Sequence, residues 1–268
     1  MKKRTLLFGV LLFCILSATL NAQQFSRYTN VIDTPTAYTI PHGTYQLGML
    51  AYDEGGLEFK TVVGLTDMFY MGVSFDMEHA IGRNRIKPNV PGVIAKFKVT
   101  DGPESFPISF ALGYDSFYMG ATGKVQKDSG DDGGDDGPLG ADEDSGSETR
   151  VDPLNRMVYG PYIVVTKPIY ILDEEQHISA GFRIPAQPNY KPDYSSYFLS
   201  LDVPMGQYFT VKAETERIYW NFKRSEEWLL NFGFRYNIFT KVGLELDLML
   251  EQHKTPNRVV RIEYTDEF

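Results

Sequence analysis

The sequence predicts an all-β protein: a closed, antiparallel transmembrane β-barrel of about twelve strands, of the bacterial outer-membrane type. Three observations predict it. Apolar and polar residues alternate in segments of strand length, and the connections between segments are alternately short and long. The last segment ends on Phe268, with Val260, Ile262 and Tyr264 on one face and Arg261, Glu263 and Thr265 on the other. That terminal aromatic resembles the signal read by barrel-insertion machinery, although Asp266 interrupts the apolar row. In lipid every backbone N–H and C=O must find a partner within the protein, and a closed sheet leaves no edge.

Residues 1–22 read as a secretory signal peptide, so they lie outside the fold. Lys2, Lys3 and Arg4 precede an apolar run from Leu6 to Leu16, and Ala22 stands at a cleavage position before Gln23. Removing the leader takes the net charge from −9 to −12 and removes Cys14, the one cysteine. The mature chain then carries no thiol, disulfide or cysteine-ligated metal. Its length of about 245 residues suits a single β-barrel. A negative mean hydropathy does not exclude a membrane location, because alternating strands average out in a sliding window.

Twelve alternating segments are expected near 43–53, 56–65, 68–78, 90–100, 105–115, 155–168, 175–184, 193–204, 206–218, 227–237, 239–252 and 256–268. Phe69, Met71, Val73, Phe75 and Met77 share a face opposite Tyr70, Gly72, Ser74 and Asp76. Trp228, Leu230, Phe232, Phe234 and Tyr236 oppose Asn231, Gly233 and Arg235, and Val242 to Leu250 oppose Lys241 to Asp247 in the same way. The sixth segment, Val158 to Thr166, is apolar on both faces and leaves its register open.

Connections after even segments are short and those after odd segments mostly long, the first hairpin at Glu54-Gly55 excepted. Outer-membrane barrels show short periplasmic turns and long external loops, which places both termini on the periplasmic side. Tyr45, Phe69, Phe106, Phe209, Tyr236 and Phe268 then form an outward periplasmic girdle, where aromatic rings favour the headgroup level. Residues 23–42, with Pro35 and Pro41, read as an extended periplasmic lead-in that could tuck into the lumen, followed by the barrel over 43–268.

The same registers point basic Lys60, Lys96, Lys98, Arg183, Lys212, Arg235, Lys241 and Arg261 into the lumen. They point acidic Glu58, Asp76, Asp202, Glu214, Glu216, Glu245, Asp247 and Glu263 there too. Confined charges must be paired or hydrated, and equal numbers favour pairing between strands. Eight-stranded barrels are filled by side chains and sixteen-stranded ones hold aqueous channels. Twelve strands fall between, so a filled or narrowly hydrated interior stands beside a conducting pore. A strong basic excess, as a pore for anionic sugars would want, is missing from the inward set.

The connection over 116–154 holds an acidic surface loop. From Lys127 to Asp152 it carries ten acids and two bases, a composition that favours disorder. Asp132, Asp136 and Glu143, with Gly137 and Leu139, follow part of the twelve-residue calcium-loop pattern, but Gly134 occupies a ligand position. Specific calcium binding, loose divalent bridging to lipopolysaccharide and a simple solvated charge run are the three readings. Apart from this possible calcium, no cofactor is expected.

Enzyme signals are sparse. His177 and Ser179 share a strand face, as base and nucleophile would, and outer-membrane phospholipases resemble this arrangement. Ala180 stands where that pattern has asparagine, and the pair lies at the periplasmic end facing inward. A lumen hydrogen bond is the plainer reading. No phosphate loop, zinc constellation or nucleic-acid patch is visible in the sequence.

Val31-Ile32-Asp33-Thr34-Pro35-Thr36-Ala37, then Pro41-His42-Gly43-Thr44, Val63-Gly64-Leu65-Thr66-Asp67 and Lys87-Pro88-Asn89 form a further series. It resembles the YjbH-like outer-membrane barrels over roughly residues 28–115, with Asp33 where that family has asparagine. The resemblance implies a non-enzymatic envelope protein linked to exopolysaccharide assembly or export, with polysaccharide export components as partners. A porin-like small-solute channel is the alternative, and a lipid hydrolase using His177 and Ser179 the third reading. In each case the surroundings are outer-membrane lipid and lipopolysaccharide.

Overall fold

A twelve-stranded antiparallel ladder closes on itself. The computed structural model describes residues 27–103, 106–118, 157–171, 174–184, 195–206, 208–219, 229–238, 241–251 and 256–268. The strands are β1 (Thr44–Tyr52), β2 (Gly56–Thr66), β3 (Phe69–Glu78), β4 (Gly92–Thr100), β5 (Ser109–Tyr118) and β6 (Met157–Ile171). They continue with β7 (Glu174–Arg183), β8 (Ser196–Met205), β9 (Phe209–Tyr219), β10 (Leu229–Ile238), β11 (Val242–Glu251) and β12 (Asn257–Glu267). Each pairs with its sequence neighbours, and β12 returns to β1 with Thr44 opposite Glu267 and Ala51 opposite Val260. The Phe268 amide donates to the Gly43 carbonyl at 2.9 Å, tying the carboxyl end to the start of β1.

Alternation decides which side meets lipid. Phe59, Met71, Val73, Phe75, Leu112, Phe232, Phe234, Leu246 and Val260 are exposed on the outer wall. Exposed apolar area on this scale costs about 25 cal/mol per Å² in water and nothing comparable in hydrocarbon. The barrel is therefore of the outer-membrane type. At the end carrying the short turns, Phe209 stacks on Phe234 at 5.3 Å and meets Tyr236 at 5.0 Å, while Tyr45 lies 6.4 Å from Phe268. Aromatic rings at this level match the headgroup region.

Two boundaries differ from expectation. The fifth strand begins at Ser109 instead of residue 105, because Pro103 and Pro107 cannot donate to a ladder. Gly102, at φ +71°, turns the chain there, and the Ile108 amide bonds to Phe106 O. The sixth strand, with its undecided register, points Tyr162, Val164 and Thr166 inward and Ile163 and Val165 outward. Its inward row packs with Ala37, Ala111 and Phe198.

The first hairpin's two-residue turn also has a structural reason. Glu54 and Gly55 both adopt positive φ, and the loop after β3 folds over them, its Ile81 amide donating to Gly55 O at 2.9 Å. A Cβ on Gly55 would stand 1.8 Å from Ile81 O, so glycine is required by contact as well as by conformation.

Candidate functional site

The lumen is occupied by the chain's own N-terminal segment. Residues 27–42 enter from the end with the short turns, reverse direction and return to β1. The reversal is a tight hairpin, with an isolated bridge between Asn30 and Pro35, Val31 N bonded to Thr34 O and Thr36 N bonded to Thr29 O. Val31, Ile32, Asp33, Thr34, Thr36, Ala37 and Tyr38 are all buried. The lead-in, which could tuck into the lumen, lies within it over its described part, held by contacts with β4, β6, β9 and β12 that are remote in sequence.

The hairpin tip docks on Glu214. One carboxylate oxygen accepts the amides of Ile32, Asp33 and Thr34 at 3.0, 3.0 and 2.9 Å, and the Thr34 hydroxyl at 2.7 Å. Asn231 Nδ2 holds the other oxygen at 2.8 Å. Glu214 lies five residues into β9 from its short-turn end. At ~3.3 Å per residue and a tilt of ~40°, the tip reaches roughly 12 Å into an apolar band ~25 Å tall. It therefore sits near the membrane midplane.

A second anchor joins tip and wall by charge. Arg261 Nη2 lies 2.9 Å from Asp33 Oδ1, its Nε pairs with Asp247, and its Nη1 donates to Ile32 O at 3.3 Å. Lys96 Nζ donates to the carbonyls of Thr29 at 2.6 Å and Tyr38 at 3.4 Å, and Thr166 Oγ1 accepts the Ala37 amide at 2.7 Å. Nearer the short-turn end, Tyr28 lies beneath two cations, with Lys212 Nζ 4.7 Å and Arg235 Cζ 4.5 Å from its ring. The Tyr28 hydroxyl is within hydrogen-bond distance of Thr210 Oγ1 and accepts from Asn237 Nδ2.

The strap back to β1 passes close over β2. Gly64 has no side chain there because a Cβ would come within 2.0 Å of Pro41 O. Thr39 Oγ1 donates to Asp67 O, and the His42 amide to Asp67 Oδ1.

The remaining expected charges fall as follows. Glu58 is buried with Lys60 Nζ 3.7 Å away, and Asp76 accepts from the Tyr52 hydroxyl and from Asn89 Nδ2. Arg183 bridges Asp115 and Glu216 at 3.6 and 3.7 Å. Lys212 pairs with Glu245, and Arg235 with Glu263 at 2.6 Å. Lys98 pairs with Asp101 near the short-turn rim. Lys241 is a correction: its side chain is 54% exposed and pairs with Asp266, because it precedes β11 and reaches around the rim. Asp33 and Asp115 are buried carboxylates outside the expected set. Asp115 alternates in phase with Ala111 and Gly113, a signal available in the sequence; Asp33 had none, since it belongs to no strand.

His177 and Ser179 do not meet as base and nucleophile. His177 Nδ1 is 2.8 Å from Asp202 and its Nε2 is 3.0 Å from Glu175, while Ser179 Oγ is 2.8 Å from Thr166 Oγ1. Both imidazole nitrogens are taken by carboxylates, and Tyr38 of the hairpin packs edge-on against the ring at 5.1 Å. The candidate calcium ligands Asp132, Asp136 and Glu143 lie outside the described residues. Among the described residues, no group of three or more His, Cys, Asp or Glu is placed to hold a metal.

Beside the hairpin a cavity of about 90 Å³ remains, lined by Glu58, Lys60, Asp115, Lys212, Glu245 and Arg261 among others. It has room for a few waters with several polar partners each. Towards the long-loop end the inner wall turns apolar, with Leu50, Tyr52, Leu229, Met249 and Val259 in one buried cluster.

No protein-family model matches the chain, and no curated protein is significantly similar to it. Among solved structures the chain is similar to the KdgM porin, at 11% identity and a TM-score of 0.47, over 82% of this chain and 98% of that one. A second KdgM porin structure, in complex with oligogalacturonate, matches at 9% identity and a TM-score of 0.49 over the same shares. The Acinetobacter baumannii outer-membrane protein Omp33 matches at 10% identity and a TM-score of 0.44, over 84% of this chain and 97% of that one. At such identities and TM-scores the likeness says nothing about what this chain carries or binds.

Proposed function

We propose that this protein is a non-enzymatic outer-membrane channel for small solutes, closed at rest by its own N-terminal hairpin. The single observation that carries this reading is the chemistry of the hairpin's seat. The seat is lined by charged side chains, the buried Glu214, Lys96 and Asp247 and the half-buried Arg261, all of which water can solvate once the hairpin leaves. The hairpin runs into the barrel through Gly43 and adds no strand to the closed ladder, so its withdrawal towards the periplasm leaves that ladder intact.

The Ser179–Thr166 bond and the double pairing of His177 favour a structural role for both over hydrolysis. The polysaccharide role implied by the YjbH-like resemblance has no observation of its own here: the hairpin occupies the route that a polymer would follow.

Planar-bilayer recording of the full chain tests the reading. The native protein is expected to be mostly silent with brief openings. Asp33→Arg, which sets a second cation against Arg261, is expected to conduct steadily. If the native chain and Asp33→Arg are both permanently silent, the channel reading fails.

A further inference from the structure

The wall recognises the hairpin chiefly through its main chain. Glu214 accepts three consecutive amides, those of residues 32–34, and Thr166 accepts a fourth from Ala37. Lys96 donates to the carbonyls of Thr29 and Tyr38, and Arg261 to that of Ile32. Four side chains from four different strands thus satisfy seven peptide groups. Lys96, Thr166 and Glu214 are each at most 2% exposed. A seat of this kind depends little on which side chains the guest carries.

Resting on the reading that the hairpin withdraws, we infer that the vacated lumen is a binding site for oligopeptides, entered from the periplasmic side. Water or a sugar hydroxyl can donate to Glu214 once the hairpin leaves, but neither offers consecutive N–H donors at one-residue spacing, as the amides of residues 32–34 do. A peptide turn offers that run.

Two wall features add selectivity. Arg261, already shared with Asp247, favours an acidic residue at the tip of the turn, where Asp33 now sits. The cations Lys212 and Arg235 favour an aromatic ring five residues before it, where Tyr28 now sits. The preferred guest is therefore a short peptide with an aromatic residue, a turn and an acid at the turn.

The test uses the full-length Asp33→Arg protein, whose wall is unaltered, and a synthetic peptide with the native sequence of residues 27–40. Binding of the labelled peptide is read by fluorescence anisotropy in detergent, and block of current in bilayers. Saturable binding is expected. N-methylation of the peptide amides at positions 33 and 34 is expected to weaken it by about tenfold or more. Absence of saturable binding, or equal binding of the N-methylated peptide, overturns the inference. Gly64→Val, which displaces the strap without touching the four wall groups, serves as the second opened variant. Conductance without peptide binding removes the peptide site and leaves the channel; peptide binding without conductance removes the channel and leaves the site.

Discussion

Thr34 meets Glu214 twice: its amide donates to Oε2 at 2.9 Å and its hydroxyl donates to the same oxygen at 2.7 Å, across 180 residues of sequence. A residue of the N-terminal segment is thereby held by the middle of the ninth strand, in the centre of the barrel. Ordering a free segment costs about 1–2 kcal/mol per residue. The hairpin stays docked only because its contacts are dense and charge-assisted, and it is correspondingly sensitive to loss of any one of them.

Replacing Glu214 by alanine leaves the amides of Ile32, Asp33 and Thr34 without their acceptor. Each unsatisfied buried donor costs about 1–3 kcal/mol. Glu214→Ala is expected to raise the open fraction in bilayer recordings strongly, and Glu214→Gln, which keeps one oxygen, to raise it less. Equal silence in both would show that the tip contact does not hold the closed state.

Arg261→Met leaves Asp33 and Asp247 buried with their shared cation gone. Breaking a buried pair in this way costs about 3–5 kcal/mol. The temperature at which the folded barrel loses its compact mobility on denaturing gels should fall. Adding Asp33→Asn should restore part of that loss, because the two residues are coupled. A simple sum of the two single effects would deny the coupling.

At Gly64 the test is steric. A Cβ there stands 2.0 Å from Pro41 O, and both partners are backbone, so the strap must move. Gly64→Val is expected to expose residues 27–42 to protease added from the periplasmic side of reconstituted vesicles. An unchanged cleavage pattern would mean that the strap tolerates the side chain.

Leu246 and Asp247 are adjacent on β11 and face opposite media. A basic residue on the lipid face near the midplane costs about 2–4 kcal/mol. Leu246→Arg should therefore reduce folding into phospholipid vesicles by that margin in a denaturant titration. Loss of less than about 0.5 kcal/mol would mean that position 246 does not meet lipid.

Ser179→Ala removes the hydroxyl that is bonded to Thr166. The expected outcome is a stability loss of about 1 kcal/mol and no change in phospholipid or ester hydrolysis, which stays at background in both proteins. A hydrolytic activity that vanished with the substitution would reinstate the enzyme reading.

Strand number, strand placement and the facing of most charged residues were legible because they are local. A residue's side follows from parity along its own strand, as with Asp247 and Glu245 against Leu246 and Leu248. Lys241 escaped that rule because parity has no force one residue outside the ladder. The undecided register of β6 was settled only by its neighbours, since two apolar faces carry no parity signal. Pro107 delayed β5 because a missing donor matters only once a partner strand is known.

Composition and period along the backbone are enough to read the chain as strand-rich, closed and apolar outside. That residues 28–38 lie inside the bore, and that Glu214, Lys96, Thr166 and Arg261 receive them, came from the three-dimensional structure. The physical reason is range. Alternation is imposed by the pleat over two residues, whereas the hairpin's partners are brought to it by ring closure across as many as 229 positions, from Ile32 to Arg261.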